Sequence, residues 1–448
     1  MESAEIATRE LVNVRVVGLL ERHDHGIEFP SDHEFVCIHG PNGVGKTRLL
    51  EIIYGVLNGE VSSLIDAPFE GIHLEFSDGS SIALDKWTSE TPGDSLKLTV
   101  VDGDEELSME APMTDSDRRP AVRWLLNEGH IRRRPSRLGP NLEDLQTGEL
   151  ITEDEAITRY YDLLPANVSP LPAQWKSFID SSPVRLIEVG RLREISVPQS
   201  TIRSPMDGKQ TIPAVEQSAG SLVSLILSAK AEYSSTTQVI DRSYARRLIA
   251  SGEGGVDFLE EEIRAQYEEL VAKQNFLSGL TLLAQQEAAF ELPAGQLQDW
   301  QKLAIGLHLA DLREKLSKFD VIAEKLRAFR EIVNDKLINK RLEYHQSTGM
   351  RIISESIGSE PRTIDLRSLS SGEQHLIVIT FRLLFEATAG QLVLIDEPEI
   401  SWHVAWQRQF LDDLVQISHL NNLRFIVATH SPQIVGRWTD RMVELGAS

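Results

Sequence analysis

The sequence runs to 448 residues, more than a single compact core usually holds, so two or three subdomains are expected. Hydrophobic residues make up 41% and charged residues 25%, an ordinary globular balance, and no apolar run approaches the roughly 18–20 residues of a membrane span. A formal net charge of -23 argues against sequence-independent coating of nucleic acid, because neutralising phosphates takes clustered Lys and Arg.

The first ten residues, MESAEIATRE, lack the basic-then-apolar order of a secretory signal, and the single cysteine, Cys37, allows no intramolecular disulfide. Both fit a cytoplasmic, reducing setting. Cys37 lies in an apolar run and reads as a buried strand residue rather than a reactive thiol. LVNVRVVGLL (11–20) alternates as a half-buried strand does, and with HEFVCIHG (33–40) it reads as two strands around a turn. PNGVGKTRLLEIIYGVL (41–57) follows directly, with apolar residues at helical spacing. Residues 70–110 read as antiparallel: GIHLEF and SIALDKW flank SDGS, and LKLTVV precedes DGDE, an Asp-Gly hairpin cue.

Residues 111–180 read as irregular with short helices. They include a basic run, Arg118, Arg119, Arg123, Arg132, Arg133, Arg134 and Arg137, which is either a local nucleic-acid patch or a solvated face partly balanced by Asp115, Asp117 and Glu128. VRLIEVGRL (184–192) reads as a buried strand, and the Pro/Ser-rich SVPQSTIRSP (196–205) as a loop. From about 217 to 345 the pattern is helical. VDFLEEEIRAQYEELVAKQ (256–274) forms one stretch; Leu312, Leu316, Phe319, Ile322, Leu326, Phe329 and Val333 mark one helix face; LPAG (292–295) separates the two. The last hundred residues alternate strand and helix, the mark of a parallel sheet covered by helices.

Four motifs carry chemistry. The first is G-P-N-G-V-G-K-T, Gly40–Thr47, between a buried strand and an amphipathic helix. Gly40, Gly43 and Gly45 permit backbone to approach phosphate oxygens, and the helix N-terminus offers unpaired N–H groups and a positive dipole end. Asn42, Gly43, Val44, Gly45, Lys46, Thr47 and Arg48 are the expected nucleotide contacts, with Lys46 on the β- and γ-phosphates and the Thr47 hydroxyl on Mg2+. The second is L-V-L-I-D-E-P-E, Leu392–Glu399, in which an apolar strand delivers Asp396 to the metal and Glu397 to the attacking water. The third, L-S-S-G-E-Q (369–374), opens the helix HLIVITFRLLFEA; it makes an anion site at a helix start and also spells a capping box. The fourth is F-I-V-A-T-H-S-P (425–432), in which His430 follows a buried strand. His23, His25, His345 and His403 have no such context.

In order and spacing these motifs resemble the phosphate loop, signature, acidic strand and switch histidine of ABC ATPases, with the long insertion shared by RecF- and SMC-type members. LSSGEQHLIVITFRLLFEATAGQLVLIDEPEISWHVAWQ resembles in particular the compact ABC-type ATPases of bacterial anti-phage defence systems, among them those of Septu, PARIS and retrons. The resemblance rests on residues 10–60 and 345–440. It implies an α/β fold: a P-loop ATPase head with an antiparallel β subdomain and a helical insertion, either a short arm or a packed subdomain. The divisions are 1–216, 217–345 and 346–448. It also implies ATP and Mg2+ as cofactors, and a homodimer, open to higher assembly, in which Ser370 and Gly372 of one copy meet the γ-phosphate held by the other. Catalysis falls to Lys46, Glu397 and His430. Ser371 replaces the first of two glycines common after the signature serine, and Trp402 stands where leucine is common.

Glu188 and Arg191 fall where relatives place residues near the site; a Q-loop glutamine and an adenine-stacking residue are not assigned. Eighteen residues follow His430, too few for a C-terminal toprim nuclease, and there is no HNH-like cluster or zinc spacing. The resemblance therefore implies a sensor or regulatory ATPase that controls a nuclease-like effector in a partner chain, with nucleic acid left open as a partner and no membrane. A RecF/SMC-like repair ATPase binding DNA directly is the alternative, ahead of a transporter's nucleotide-binding subunit.

Overall fold

A computed structural model describes residues 8–88, 94–111, 115–134, 142–160, 163–165, 173–188, 194–196, 211–252, 259–284, 292–293, 295–355 and 360–446. The chain divides into two compact units, 1–212 with 386–448, and 213–385.

The first unit holds two large sheets. One is six-stranded and antiparallel, in the order His23–Glu28, Leu11–Leu19, Gly71–Phe76, Ser81–Thr88, Asp94–Asp102, Glu105–Ala111. The other is five-stranded and parallel, in the order Val184–Glu188, Leu392–Asp396, Arg424–Thr429, Phe35–His39, Met442–Glu444. Leu11–Leu19 does not form its hairpin with 33–40, as the sequence suggests; its partner is His23–Glu28, and Phe35–His39 belongs to the parallel sheet. The alternation of HDHGIE is carried inward by His25 and Ile27, and a buried histidine disguises it as polar. Leu392–Asp396 and Phe35–His39 are nearly continuous apolar runs because both are interior strands, covered on both faces as parallel sheets are.

Helix Lys46–Asn58 supplies the middle of this unit's core through Leu49, Leu50, Ile52, Ile53, Val56 and Leu57. Each fully buried aliphatic side chain of this kind contributes about 1.5–3 kcal/mol. Trp175, itself fully buried, donates from Nε1 to the Val56 carbonyl at 2.9 Å. Gly59, at φ +71°, closes the helix in the left-handed conformation that glycine adopts without strain. The described residues of 111–180 hold more regular structure than the sequence suggests: helices Asp115–Asn127, Glu153–Arg159 and Ala173–Ser181 accompany a three-stranded antiparallel sheet, Leu150–Ile151, Leu142–Asp144, Ile131–Arg133.

The second unit contains helices Ala214–Gly252, Glu260–Gly279, Asp299–Ser317 and Asp320–Lys336, a three-stranded antiparallel sheet (Lys340–His345, Gly349–Ser354, Thr363–Ile364) and helix Ser371–Phe381. Asp299–Ser317 packs against both of the helices before it. Arg247 forks onto the buried Asp311 at 2.5 and 2.7 Å, locking the longest helix to it. Glu260–Gly279 buries only Ile263, Leu270 and Leu277, a narrow seven-residue seam. The apolar face from Leu312 to Val333 does not lie on one helix; it spans two, broken at Lys318 and Phe319. Phe319, fully buried and stacked on Tyr233 at 4.9 Å, keeps the apolar spacing across the turn and so hides the break. The Pro/Ser-rich loop lies outside the described residues apart from Ser196.

Candidate functional site

The carboxyl ends of neighbouring parallel strands carry three of the four sequence motifs, the usual place for a ligand in an open α/β sheet. Register aligns Asp396 with Ala428 and Thr429 with His39, so the phosphate loop, the acidic pair and His430 leave the same edge. Glu188 is aligned with Asp396 on the outer strand, which puts its backbone at that edge too; Arg191 lies outside the described residues.

Gly43 and Gly45 adopt φ of +89° and +94°, where a side chain would be strained. A Cβ on Gly45 would also fall 2.6 Å from Leu19 Cδ2, and one on Gly40 2.5 Å from the Leu445 carbonyl oxygen. The helix that follows has no side-chain cap and no acidic residue in its first turn, so its leading N–H groups and dipole face the loop unanswered. Val44 is buried, and its carbonyl lies 3.2 Å from His25 Nε2, a contact the sequence did not disclose. Asn42 and Arg48 are exposed, Arg48 pairing with Glu51 at 2.5 Å.

Lys46 is buried, its Nζ donating to the Gly40 and Pro41 carbonyls at 2.7 and 3.1 Å and meeting His430 Nδ1 at 3.0 Å. Burial pulls its ammonium below the usual lysine range, against the opposing pull of Glu397, Asp396 and Glu399. An ammonium can only donate, so Nδ1 of His430 accepts; the imidazole proton then sits on Nε2, 3.2 Å from Glu397 Oε1. Lys46, His430 and Glu397 thus lie in one line, the first two hydrogen-bonded and the last two 3.2 Å apart. Glu397 has φ +46°, uncommon for a residue with a side chain, and its N–H donates to the Ala428 carbonyl at 2.9 Å. Thr47 Oγ1 donates to Asp396 Oδ2 at 2.9 Å.

A divalent cation fits this donor set. One hydroxyl and one carboxylate oxygen side by side are hard ligands, and no group of three or more His, Cys, Asp or Glu gathers for a metal among the described residues. Mg2+ is commonly held by one or two protein oxygens together with phosphates and water. A polyphosphate fits the glycine loop and the uncapped helix start.

Glu399, two residues past Glu397, was not singled out by sequence. Its Oε1 accepts from Thr429 Oγ1, His430 N and Ser431 N. The only signal was a third acid in D-E-P-E. Trp402 is nearly buried against Phe410, ring centroids 5.0 Å apart. His403 caps helix Val404–Asn421 through Nδ1.

The signature lies in the second unit. Ser370 caps helix Ser371–Phe381: its Oγ accepts from Glu373 N at 3.3 Å, and Glu373 Oε2 accepts from Ser370 N at 2.9 Å. Lys340 Nζ donates to both Glu373 oxygens at 2.8 and 3.0 Å. Burial pushes the Glu373 carboxyl up, but Lys340 and Ser370 outweigh it and hold it below the usual range. Ser370 is exposed and Gly372 buried. The capping box expected from sequence is therefore formed, with the serine still open to solvent. In the basic run, Arg132 and Arg134 are both spent on Glu143, and Arg133 lies 3.5 Å from Glu153. The side chains of Arg118 and Arg137 lie outside the described residues. Cys37 is buried, and burial, with Glu399 nearby, pushes its thiol up to about 12.

Residues 282–436 match a family model described as "AAA domain, putative AbiEii toxin, Type IV TA system". The match is less than half of the chain; it takes in the signature, the acidic strand and His430, and excludes the phosphate loop. No curated protein matches. Among solved structures, the Smc head domain of Pyrococcus furiosus with an extended coiled coil, bound to the C-terminal domain of ScpA, is 15% identical, with a TM-score of 0.33 over 98% of this chain and 93% of that one. An SmcHead bound to the C-winged helix domain of ScpA is 12% identical, with a TM-score of 0.34 over 97% and 93%. At scores this low the fold is read from the chain's own sheet order.

Proposed function

We propose that the chain is an ABC-type ATPase that binds and hydrolyses ATP between two copies of itself, the phosphate loop of one facing Ser370 and Gly372 of the other. The observation that carries this reading is the convergence of Lys46, Thr47, Asp396, Glu397 and His430 at one sheet edge. Backbone N–H groups of residues 43–47 and the Lys46 ammonium bind the β- and γ-phosphates. Thr47 and Asp396 would hold Mg2+, which when bound draws charge from the phosphate oxygens. Glu397 orients the attacking water and accepts its proton. His430 faces Glu397 through Nε2 before nucleotide arrives, and turns to the γ-phosphate when Lys46 does. Ser370, at an exposed helix start, completes the enclosure and excludes water from the partner's site.

In this reading the ATPase senses or restrains, and a separate nuclease-like chain carries the toxic chemistry of an anti-phage system. The toxin wording of the matched family and the strongly acidic charge support this over direct DNA binding, as does the pairing of Arg132 and Arg134 with Glu143.

Complementation tests the shared site. Lys46→Ala and Ser370→Arg chains are each expected to be inactive. Mixed, they form heterodimers with one intact site, recovering up to about a quarter of native ATPase activity, since half the dimers then carry one site of two. A mixture as dead as its components would rule out a site built from two copies.

A further inference from the structure

The His430 loop is gripped from behind by one carboxylate. Glu399 Oε1 accepts from Thr429 Oγ1 at 2.8 Å, His430 N at 2.7 Å and Ser431 N at 3.1 Å. Thr429 is the last residue paired in its strand; beyond it His430 N donates to this oxygen, and Ser431 N divides between it and Thr429 Oγ1, the latter at 3.0 Å. Hydrogen bonds to an ionised acceptor are about twice as strong as neutral ones, and three meet here. The other oxygen, Oε2, is shielded and has no hydrogen-bond partner among the described residues, so the bonding of this acid goes to one loop. Its own turn is fixed by Trp402 N donating to the Glu399 carbonyl at 2.9 Å. A second tie reinforces the first: Ser431 Oγ donates to Gln407 Oε1 at 2.6 Å, and Gln407 Nε2 donates to the Trp402 carbonyl at 3.1 Å. The segment bearing Glu397 therefore sets the main chain of His430, whose Nε2 lies 3.2 Å from Glu397 Oε1.

We infer that Glu399 is a positioning residue: it fixes the main chain at His430 so that the imidazole stays within reach of Glu397 and Lys46. It acts through His430, and its effect on turnover rests on the ATPase reading above. The isosteric Gln keeps an acceptor at Oε1 and places its amide nitrogen where Oε2 has no partner, so Glu399→Gln should preserve the loop where Glu399→Ala releases it.

Two readouts test this in the full-length chain. In steady-state ATPase assays, Glu399→Ala should lower kcat about tenfold or more with KM for ATP within about threefold. Glu399→Gln should restore most of that loss, and Glu399→Ala should add nothing in a His430→Ala background. In NMR spectra of histidine-labelled, nucleotide-free protein, Glu399→Ala should shift the ring signals of His430, identified by their absence in His430→Ala, and Glu399→Gln should leave them near their native positions. An equal loss of kcat with and without His430, or ring signals unmoved by Glu399→Ala, overturns the inference. If the native chain has no ATPase activity, the functional reading fails while the ring signals still decide the positioning role. If Glu399→Ala does not fold, Thr429→Val, which removes one of the three donors and with it an acceptor of Ser431 N, replaces it; a smaller shift of the same signals is expected and an unmoved signal overturns the inference.

Discussion

Lys46 is satisfied without a ligand, its protons directed at two loop carbonyls and at His430. A triphosphate must therefore exchange these bonds for charge-assisted ones, and the exchange frees Nδ1 of His430. Lys46→Ala removes the only ammonium in the loop and is expected to weaken ATP binding about a hundredfold, about 2.7 kcal/mol, measurable by calorimetry; native affinity in this variant would remove Lys46 from the site. Glu397 sits in the left-handed region, a strain that the Ala428 hydrogen bond helps to hold. Glu397→Gln keeps that backbone and the side-chain size while removing the carboxylate proposed as base. Binding of ATP should survive, kcat should fall by about a hundred- to ten-thousand-fold, and the dimer should accumulate on a sizing column with ATP and Mg2+. Hydrolysis at the native rate would show that Glu397 does not activate the water.

Element by element, the two helices that bear motifs start in opposite ways. Helix Lys46–Asn58 begins on a left-handed glycine with no side-chain cap, leaving its donors for a ligand; helix Ser371–Phe381 begins with a full capping box anchored by Lys340. A third element is set by charge. In the small sheet, Arg134 and then Arg132, against the cost of burial, hold the Glu143 carboxyl down at about 2 from 4.5. Burial pushes Asp144 up, but Arg159, Tyr160 and two backbone N–H groups outweigh it and bring it to about 2 from 3.8. Depressed carboxyls stabilise above their unfolded values and lose that contribution as pH falls through the folded ones. Urea midpoints for unfolding of the first unit should therefore fall between about pH 5 and pH 2, with a shallower fall in Arg134→Ala. An identical pH profile in that variant would show that the pair contributes nothing to acid stability.

Across the whole molecule, each compact unit carries a share of the motifs. The phosphate loop, acids and His430 belong to the first, and the signature to the second. Among the described residues no helix is long and apolar enough to cross a membrane, and no three or more His, Cys, Asp or Glu gather as a metal cluster. Capture of the tagged chain from cells expressing its neighbouring genes, followed by mass spectrometry, is expected to recover a nuclease-like partner, retained or released according to nucleotide. Strong stimulation of ATPase activity by DNA, with steep salt dependence, would instead favour direct DNA binding.

The grouping of the candidate site's residues was legible because each motif is consecutive. Gly40 to Thr47, the acids of D-E-P-E and His430 each follow an apolar strand, and each motif's local order already fixes its backbone and its donors. The helix cap at Ser370 was legible for the same reason: Ser and Glu three apart make the box within one turn. The pairing of Leu11–Leu19 with His23–Glu28, the break at Phe319 and the grip of Glu399 on His430 were not. A histidine can be buried as readily as exposed, an apolar stripe can pass through a turn, and a carboxylate 31 residues away in sequence meets its donors only once the parallel strands are in register. Local conformation and reactive groups are written in short-range sequence; which strand lies beside which, and so which acid holds which loop, is decided by burial across the whole sheet.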